Sequence, residues 1–325
     1  MVEVANPCMS LPSHVLGCDV GKDKVVIFDS ITGVIAEVCN TQKALAGALA
    51  ECGMESHSLI VCEATGGFEA PLLAAAAAAR IPAHRADPRK AAAFIRSLRS
   101  HGKTDAIDAE ALARYGLERG DRLPRWKLPA KAQSDLAQLV RLRADLVQTH
   151  GDYTRRSKAP GKGRAKAHLK ATLTALTKRI EAIEADIAKV VQSDEKLTQT
   201  VDTIQEIQGC GPKTALLLTA LLPEIGQLNR QQVAALAGVA PHPRQSGKAD
   251  GYRRITGGRP AIKRGLFMAA MAARQHNPKL RAFFEHLRAA GKPKLVAMMA
   301  VARKLVTIVN AKVRDAIFAP QPELC

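Results

Sequence analysis

The apolar positions near the start of the chain fall into short runs. His14-Val-Leu-Gly-Cys-Asp-Val20 and Lys24-Val-Val-Ile-Phe-Asp29 are joined by Gly21-Lys22-Asp23, a hairpin signal. Residues 34–38 read as a third strand and 41–52 as an alanine/leucine helix. Ser58-Leu-Ile-Val-Cys-Glu63 is a buried-type strand ending in an acid, followed by Thr65-Gly66-Gly67. Residues 68–80 are helical, 82–87 form a short strand, and Pro88 opens another helix. After Gly102 a helix starts at Asp105 with Thr104 as its N-cap. Three strands, helix, strand, helix, strand, helix, helix is the order of a ribonuclease H-like (RuvC-like) α/β domain.

Pro124, Trp126 and Pro129 mark a boundary, beyond which the pattern becomes helical. Leu169, Leu173, Leu176, Ile180, Ile183, Ile187 and Val190 alternate spacings of four and three, a heptad seam. The seam fits either a coiled coil between copies or an antiparallel pair within one chain. Ile204-Gln-Glu-Ile-Gln-Gly-Cys-Gly-Pro-Lys213 has the form of a helix-hairpin-helix, and equally of an ordinary glycine turn between helices. Around Ser246 two prolines and three glycines predict a loop. Residues 278–317 read as amphipathic helices, with Met298 and Met299 in their core. The expected division is 1–125 (α/β), 126–200 (helical, coiled-coil linker) and 201–325 (all-α).

Charge changes this picture. The net charge is +18, yet residues 1–130 hold 15 Lys+Arg against 15 Asp+Glu, while 131–325 hold 33 against 15. Residues 244–294 alone carry 13 basic against 2 acidic side chains. So local an excess implies an extended anionic partner, DNA or RNA, rather than a merely solubilising surface. Candidate contacts are Arg155, Arg156, Lys158, Lys162 and Arg164 in a basic Pro/Gly turn, Lys213 at a helix start, and Arg244, Lys248, Arg253, Arg254, Lys263 and Arg264. Only 3% of residues are aromatic, so the core is aliphatic. The seven cysteines form no CxxC pair, which suits a reducing cytosol and argues against a zinc module. No stretch reads as a secretory signal or a membrane span, so a cytoplasmic location is expected.

The candidate chemistry is carried by four acids. Asp19 lies inside an apolar run, where an unpaired carboxylate is costly, and Glu63 ends another. Asp105 and Asp108 stand three apart, on one face of a helix start. Each has an ordinary reading; acids in a first helical turn are common. Together, in this fold order, they form a set of hard oxygen ligands for Mg²⁺, with Mn²⁺ as a substitute. Phosphodiester cleavage uses such a set to hold two ions about 4 Å apart.

These residues carry a resemblance. GCDVGKD around Asp19, VCEATGGFE around Glu63, ADPRK at 86–90 and KTDAIDAEALARYG around Asp105 and Asp108 resemble the DEDD transposases of the bacterial insertion sequence 110 family. AGVAPHPRQSG at 237–247, with Arg253-Arg254-Ile255 and KRGLFMAA at 263–270, resembles that family's second domain. A serine before a glycine is by itself a turn residue. The resemblance implies that Ser246 is the nucleophile, that the four acids hold the metal, that a structured RNA from the element guides the protein to DNA, and that the helical linker builds dimers or larger homo-oligomers. Residues 256–260, Thr-Gly-Gly-Arg-Pro, are less basic than that family would suggest. Two other classes compete: a metal-dependent nuclease of the Holliday-junction-resolvase type, which needs no Ser246, and a basic DNA-binding scaffold. An actin-like ATPase would also begin with an acid-bearing hairpin, but no second phosphate loop is present.

Overall fold

The computed structural model describes residues 10–53, 57–98, 104–160, 163–246 and 249–318. Lys103, Lys162 and Lys248 lie outside the described residues, and for 244–252 the description is of the backbone. The chain divides between Leu128 and Pro129 into two compact units.

The first unit holds β1 (His14–Val20), β2 (Lys24–Asp29), β3 (Ile35–Cys39), α1 (Gln42–Glu51), β4 (Ser58–Glu63), α2 (Ala70–Ala78), β5 (Ala83–Ala86), α3 (Pro88–Leu98) and α4 (Asp105–Arg119). The sheet order is β3-β2-β1-β4-β5. β1–β2 and β2–β3 are antiparallel, while β1–β4 and β4–β5 are parallel. That is the ribonuclease H-like plan expected from the order of elements. Thr104 caps α4 as its position predicts, its hydroxyl accepting from the N–H of Ile107 at 3.3 Å.

Each face of this sheet has its own core, because successive strand residues point to opposite sides. Leu16, Cys18 and Val20 of β1, with Ile60 and Cys62 of β4, bury against Leu45, Leu49, Leu72 and Leu73 of α1 and α2. Val15, Leu59 and Val61 bury on the other face against Phe94, Leu112 and Tyr115 of α3 and α4. The absence of a side chain at Gly17 lets α4 lie directly on β1. A Cβ there would overlap the carbonyl oxygen of Ala109 and the amide nitrogen of Ala113, neither of which can move without the helix.

The second unit is mostly helical: α5 (Lys131–Lys158), α6 (Ala165–Gln192), α7 (Glu195–Gln205), α8 (Pro212–Leu221), α9 (Arg230–Leu236), α10 (Pro260–His276), α11 (Pro278–Ala289) and α12 (Lys294–Val313). Leu136, Val140, Ile183, Ile187 and Val191 share a core with Ile204, Leu218, Leu266, Met298, Met299 and Leu305. The heptad seam of α6 is used within the chain. α5 and α6 pack as a pair, with Arg143 Nε donating to Glu184 at 2.8 Å and Thr177 Oγ1 3.3 Å from His150 Nε2. The seam therefore does not by itself argue for assembly.

One expectation is corrected. Ser246 is not in a loop but is the last residue of a strand, β6 (Pro241–Ser246). That strand pairs antiparallel with β7 (Ala249–Ile255), Ser246 opposite Ala249. The prolines do not break the ladder: Pro241 is the first strand residue, and Pro243 falls where the register shifts between His242 and Arg244. At neither place is a central ladder donor required. Among the described residues, no helix is long and apolar enough to cross a membrane.

Candidate active site

Cys18 of β1 lies opposite Cys62 of the parallel β4, so the residues that follow, Asp19 and Glu63, leave the sheet side by side at the same edge. Strand alternation puts both on the face covered by α4, the face of Val15, Gly17, Leu59 and Val61. α4 runs antiparallel to β1. Its Ala109 and Ala113 lie over Gly17, and its Gly116 lies over Val15 and Val61. Four residues back from Ala109 along the helix, and two forward from Gly17 along the strand, are both steps of about 6 Å. Asp105 is therefore level with Asp19. Asp108 stands on the same stripe as Leu112 and Gly116, which faces the sheet. All four acids thus share one face and one end of the first unit. Asp19, Glu63 and Asp108 are half-buried; Asp105 is exposed.

Lys24, at the start of β2, borders this group. Its Nζ is 2.7 Å from Glu37 and 3.9 Å from Asp105, and the Glu37 carboxylate favours its charged form. On the opposite face of the sheet, burial pushes the Cys18 thiol well above its ordinary pKa and the Cys62 thiol up to about 12. Both lie in the buried core of that face, away from the four acids. Among the described residues, no three His, Cys, Asp or Glu side chains are gathered closely enough to hold a metal ion. The fit to a hard divalent cation is thus one of donor type and shared face, not of a closed coordination shell. Carboxylates held apart in this way avoid mutual repulsion.

Sequence reasoning missed two residues that shape the edge of this site. Glu69, 4% exposed, holds the loop after Glu63: its Oε2 accepts from the N–H of Thr65 at 3.1 Å, the hydroxyl of Thr65 at 3.0 Å and the N–H of Gly67 at 2.8 Å. Arg85 Nη1 sits 3.3 Å from its other oxygen. Asn40 links that loop to the β1–β2 turn, its Nδ2 donating to Gly21 at 2.8 Å and Phe68 at 2.9 Å. The only trace of Glu69 in the sequence is an acid just after a Thr-Gly-Gly turn; Asn40 left none.

Burial would raise the pKa of Glu69, but hydrogen bonds from its own N–H, Gly67 and Thr65 outweigh it and leave the carboxyl below its ordinary value. A folded-state pKa below the unfolded one contributes stability in full above the ordinary carboxylate range and loses it as pH falls through the folded value. Glu69→Gln should therefore cost roughly 1.5–3 kcal/mol at neutral pH, with a penalty that shrinks as pH falls below that range. Melting temperatures of the two proteins across an acid series check this. A penalty independent of pH would show that the charge on Glu69 does not fix the loop.

The residues picked out in the second unit are distributed over several elements. α7 and α8 are joined by a turn through Gly209 and Gly211, Gly211 gives α8 no side-chain cap, and Lys213 is exposed in the first helical turn. Arg155 pairs with Asp152, and Arg156 lies over the Tyr153 ring at 5.4 Å, so these two are partly engaged locally. Lys158, Arg164, Arg253, Arg254 and Arg264 are exposed, and Lys263 is half-buried. Arg259, in the less basic 256–260 stretch, is structural: its Nη1 donates to Leu221 at 2.7 Å and to Glu224 at 2.8 Å.

Comparison with known proteins gives two family matches, the first of which runs past the boundary between the units to the end of α5. Residues 16–159 match the IS110-type DEDD transposase family, and residues 201–285 match the family described as transposase IS116/IS110/IS902. The chain is 27% identical over 213 residues to an insertion element IS110 uncharacterized 43.6 kDa protein of Streptomyces coelicolor, covering 64% of this chain and 49% of that one. It thus spans about half the length of that relative. It is 26% identical over 263 residues to the pilin gene-inverting proteins of Moraxella lacunata and Moraxella bovis, covering 79% of this chain and 80% of theirs. With the acid-bearing sheet inside one match and the Ser246 hairpin inside the other, the chain belongs to the IS110 family of DEDD transposases.

Proposed function

We propose that this chain cuts and rejoins DNA to move a genetic element, using Asp19, Glu63, Asp105 and Asp108 together with Ser246. The observation that carries the reading is the shared edge of Asp19 and Glu63 on the face that receives the acidic first turn of α4. The four carboxylates would hold Mg²⁺, or Mn²⁺ in its place, which supplies Lewis acidity and charge neutralisation at the phosphodiester. Ser246 Oγ would attack phosphorus. A serine–phosphate bond forms, the bond from phosphorus to the departing sugar oxygen breaks, and that oxygen takes up a proton as the serine loses its own. The reverse step, by a sugar hydroxyl of another strand, releases the serine and rejoins DNA without an external energy source.

The arginines and lysines would position the phosphates. Arg244, Arg253 and Arg254 on the hairpin, with Lys248, would offset developing charge. The uncapped start of α8 with Lys213 fits a sequence-independent phosphate contact of the helix-hairpin-helix kind. Arg155, Arg156, Lys158, Lys162, Arg164, Lys263 and Arg264 would follow the backbone of DNA or of a guide RNA from the element. Assembly into dimers or larger homo-oligomers would bring two DNA sites together.

A second reading has its own support. All four acids lie in the first compact unit and Ser246 in the second, so the first unit alone holds the acids a resolvase-like nuclease would use. A plasmid carrying the element with both flanks, expressed with the protein, separates the two. The recombinase reading expects precisely joined products and a discrete structured RNA copurifying with the protein. Cut but unjoined DNA, with only random RNA bound, would favour the nuclease.

A further inference from the structure

Phe68 stands out in a chain so poor in aromatics. It is 48% exposed, and among the described residues no other phenylalanine is as exposed. Nor is it on a loose loop. Glu69 accepts three hydrogen bonds from Thr65 and Gly67 immediately before it, and Asn40 grips its carbonyl oxygen. The same Asn40 amide holds Gly21, two residues past Asp19, and Phe68 itself is five residues past Glu63. Phe68 is thus held at the end of the sheet where the two strands carrying the central acids finish.

Gly66 and Gly67, both at positive φ (82° and 125°), precede it, and nothing lies within 4 Å of where their side chains would be. Lys22 on the neighbouring turn is exposed and Arg85 half-exposed. A single exposed ring on a rigid polar mount, with open glycines just before it in the chain and cationic side chains on the adjoining turn and strand, is poorly suited to a protein partner, whose hot spots are ringed by contacts that exclude water. It suits a flat, anion-bearing ligand. We propose that Phe68 stacks on an unpaired nucleobase of the DNA strand whose phosphate reaches the four carboxylates, and so sets which nucleotide lies next to the cut. The inference rests on the reading of those carboxylates as the cutting site. Rigid presentation keeps the entropic cost of stacking low, and stacking tolerates any base because every base has a π-face.

The test uses the full-length chain carrying Asp19→Asn, so that bound DNA is not cut. It is titrated with a gapped DNA duplex holding the fluorescent base aminopurine at successive positions of the gap, with the intact duplex, and with single-stranded RNA of the same sequence. The expected result is quenching at one position of the gapped DNA. Adding Phe68→Leu should abolish the quench and weaken gapped-DNA binding about tenfold, with intact-duplex affinity and melting temperature unchanged. Phe68→Trp should retain both quench and affinity. The proposal is overturned if Phe68→Leu leaves quench and affinity as they were, weakens gapped and intact DNA alike, or if only RNA is quenched. The two readings fail separately. Recombination surviving in Asp19→Asn alone would remove the cutting site, whereas the quench speaks only to the stack.

Discussion

Asp19→Asn should lower DNA cleavage by at least about a thousandfold and leave the fold and DNA binding intact. The substitution keeps the size of the side chain and removes its charge. Asp19 leaves β1 beside Glu63, on the face that receives Asp105 and Asp108, so it is the member of the set with acids on both sides. The four carboxylates are held apart, so removing one charge relieves little repulsion, and the melting temperature should hold. On the proposed reading DNA is held by the basic second unit, so binding should be unchanged. Chelation of divalent metal should reproduce the loss of cleavage in the wild type and spare binding. Cleavage assays beside band-shift and melting measurements check all of this. Retained cleavage in Asp19→Asn, or lost binding, would point to a scaffold in which the acids are ordinary surface residues.

Ser246→Ala carries the second large effect, and its form is diagnostic. A recombinase that passes through a serine–phosphate bond loses strand transfer by about a thousandfold or more when the oxygen is removed, since no other group can take its place. A nuclease that activates water at the four acids keeps cutting at its full rate. Ser246 is the last residue of β6, whose ladder to β7 is made by backbone atoms, so loss of one hydroxyl should leave it unchanged. Ser246→Cys should give little or no product, because the larger sulfur sits differently against phosphorus.

The order of elements in the first unit was legible because strands covered by helices on both faces impose continuous apolar runs, and an acid within such a run is conspicuous. Asp19 and Glu63 declared themselves in this way, and Thr104 and the α4 acids by cap spacing. The hairpin around Ser246 was not legible, since Pro241 and Pro243 speak against a strand unless the register shift that accommodates Pro243 is known. The α6 seam showed that a partner helix exists but not which one, because a helix face reads the same whether it meets α5 or a second copy. Glu69 and Asn40 act through hydrogen bonds to backbone atoms, which leave no side-chain pattern in the sequence. The bond from Asn40 to Phe68 spans 28 residues.

The most direct test of the account is to trap the intermediate. Wild-type protein is incubated with Mg²⁺, the element's flank DNA and any RNA that copurifies, denatured rapidly, and digested for peptide mass spectrometry. The account predicts a peptide carrying a nucleotide on Ser246, absent when Asp19→Asn or Ser246→Ala protein is used. DNA cut in good yield with no protein–DNA adduct, or an adduct on another residue, would contradict it.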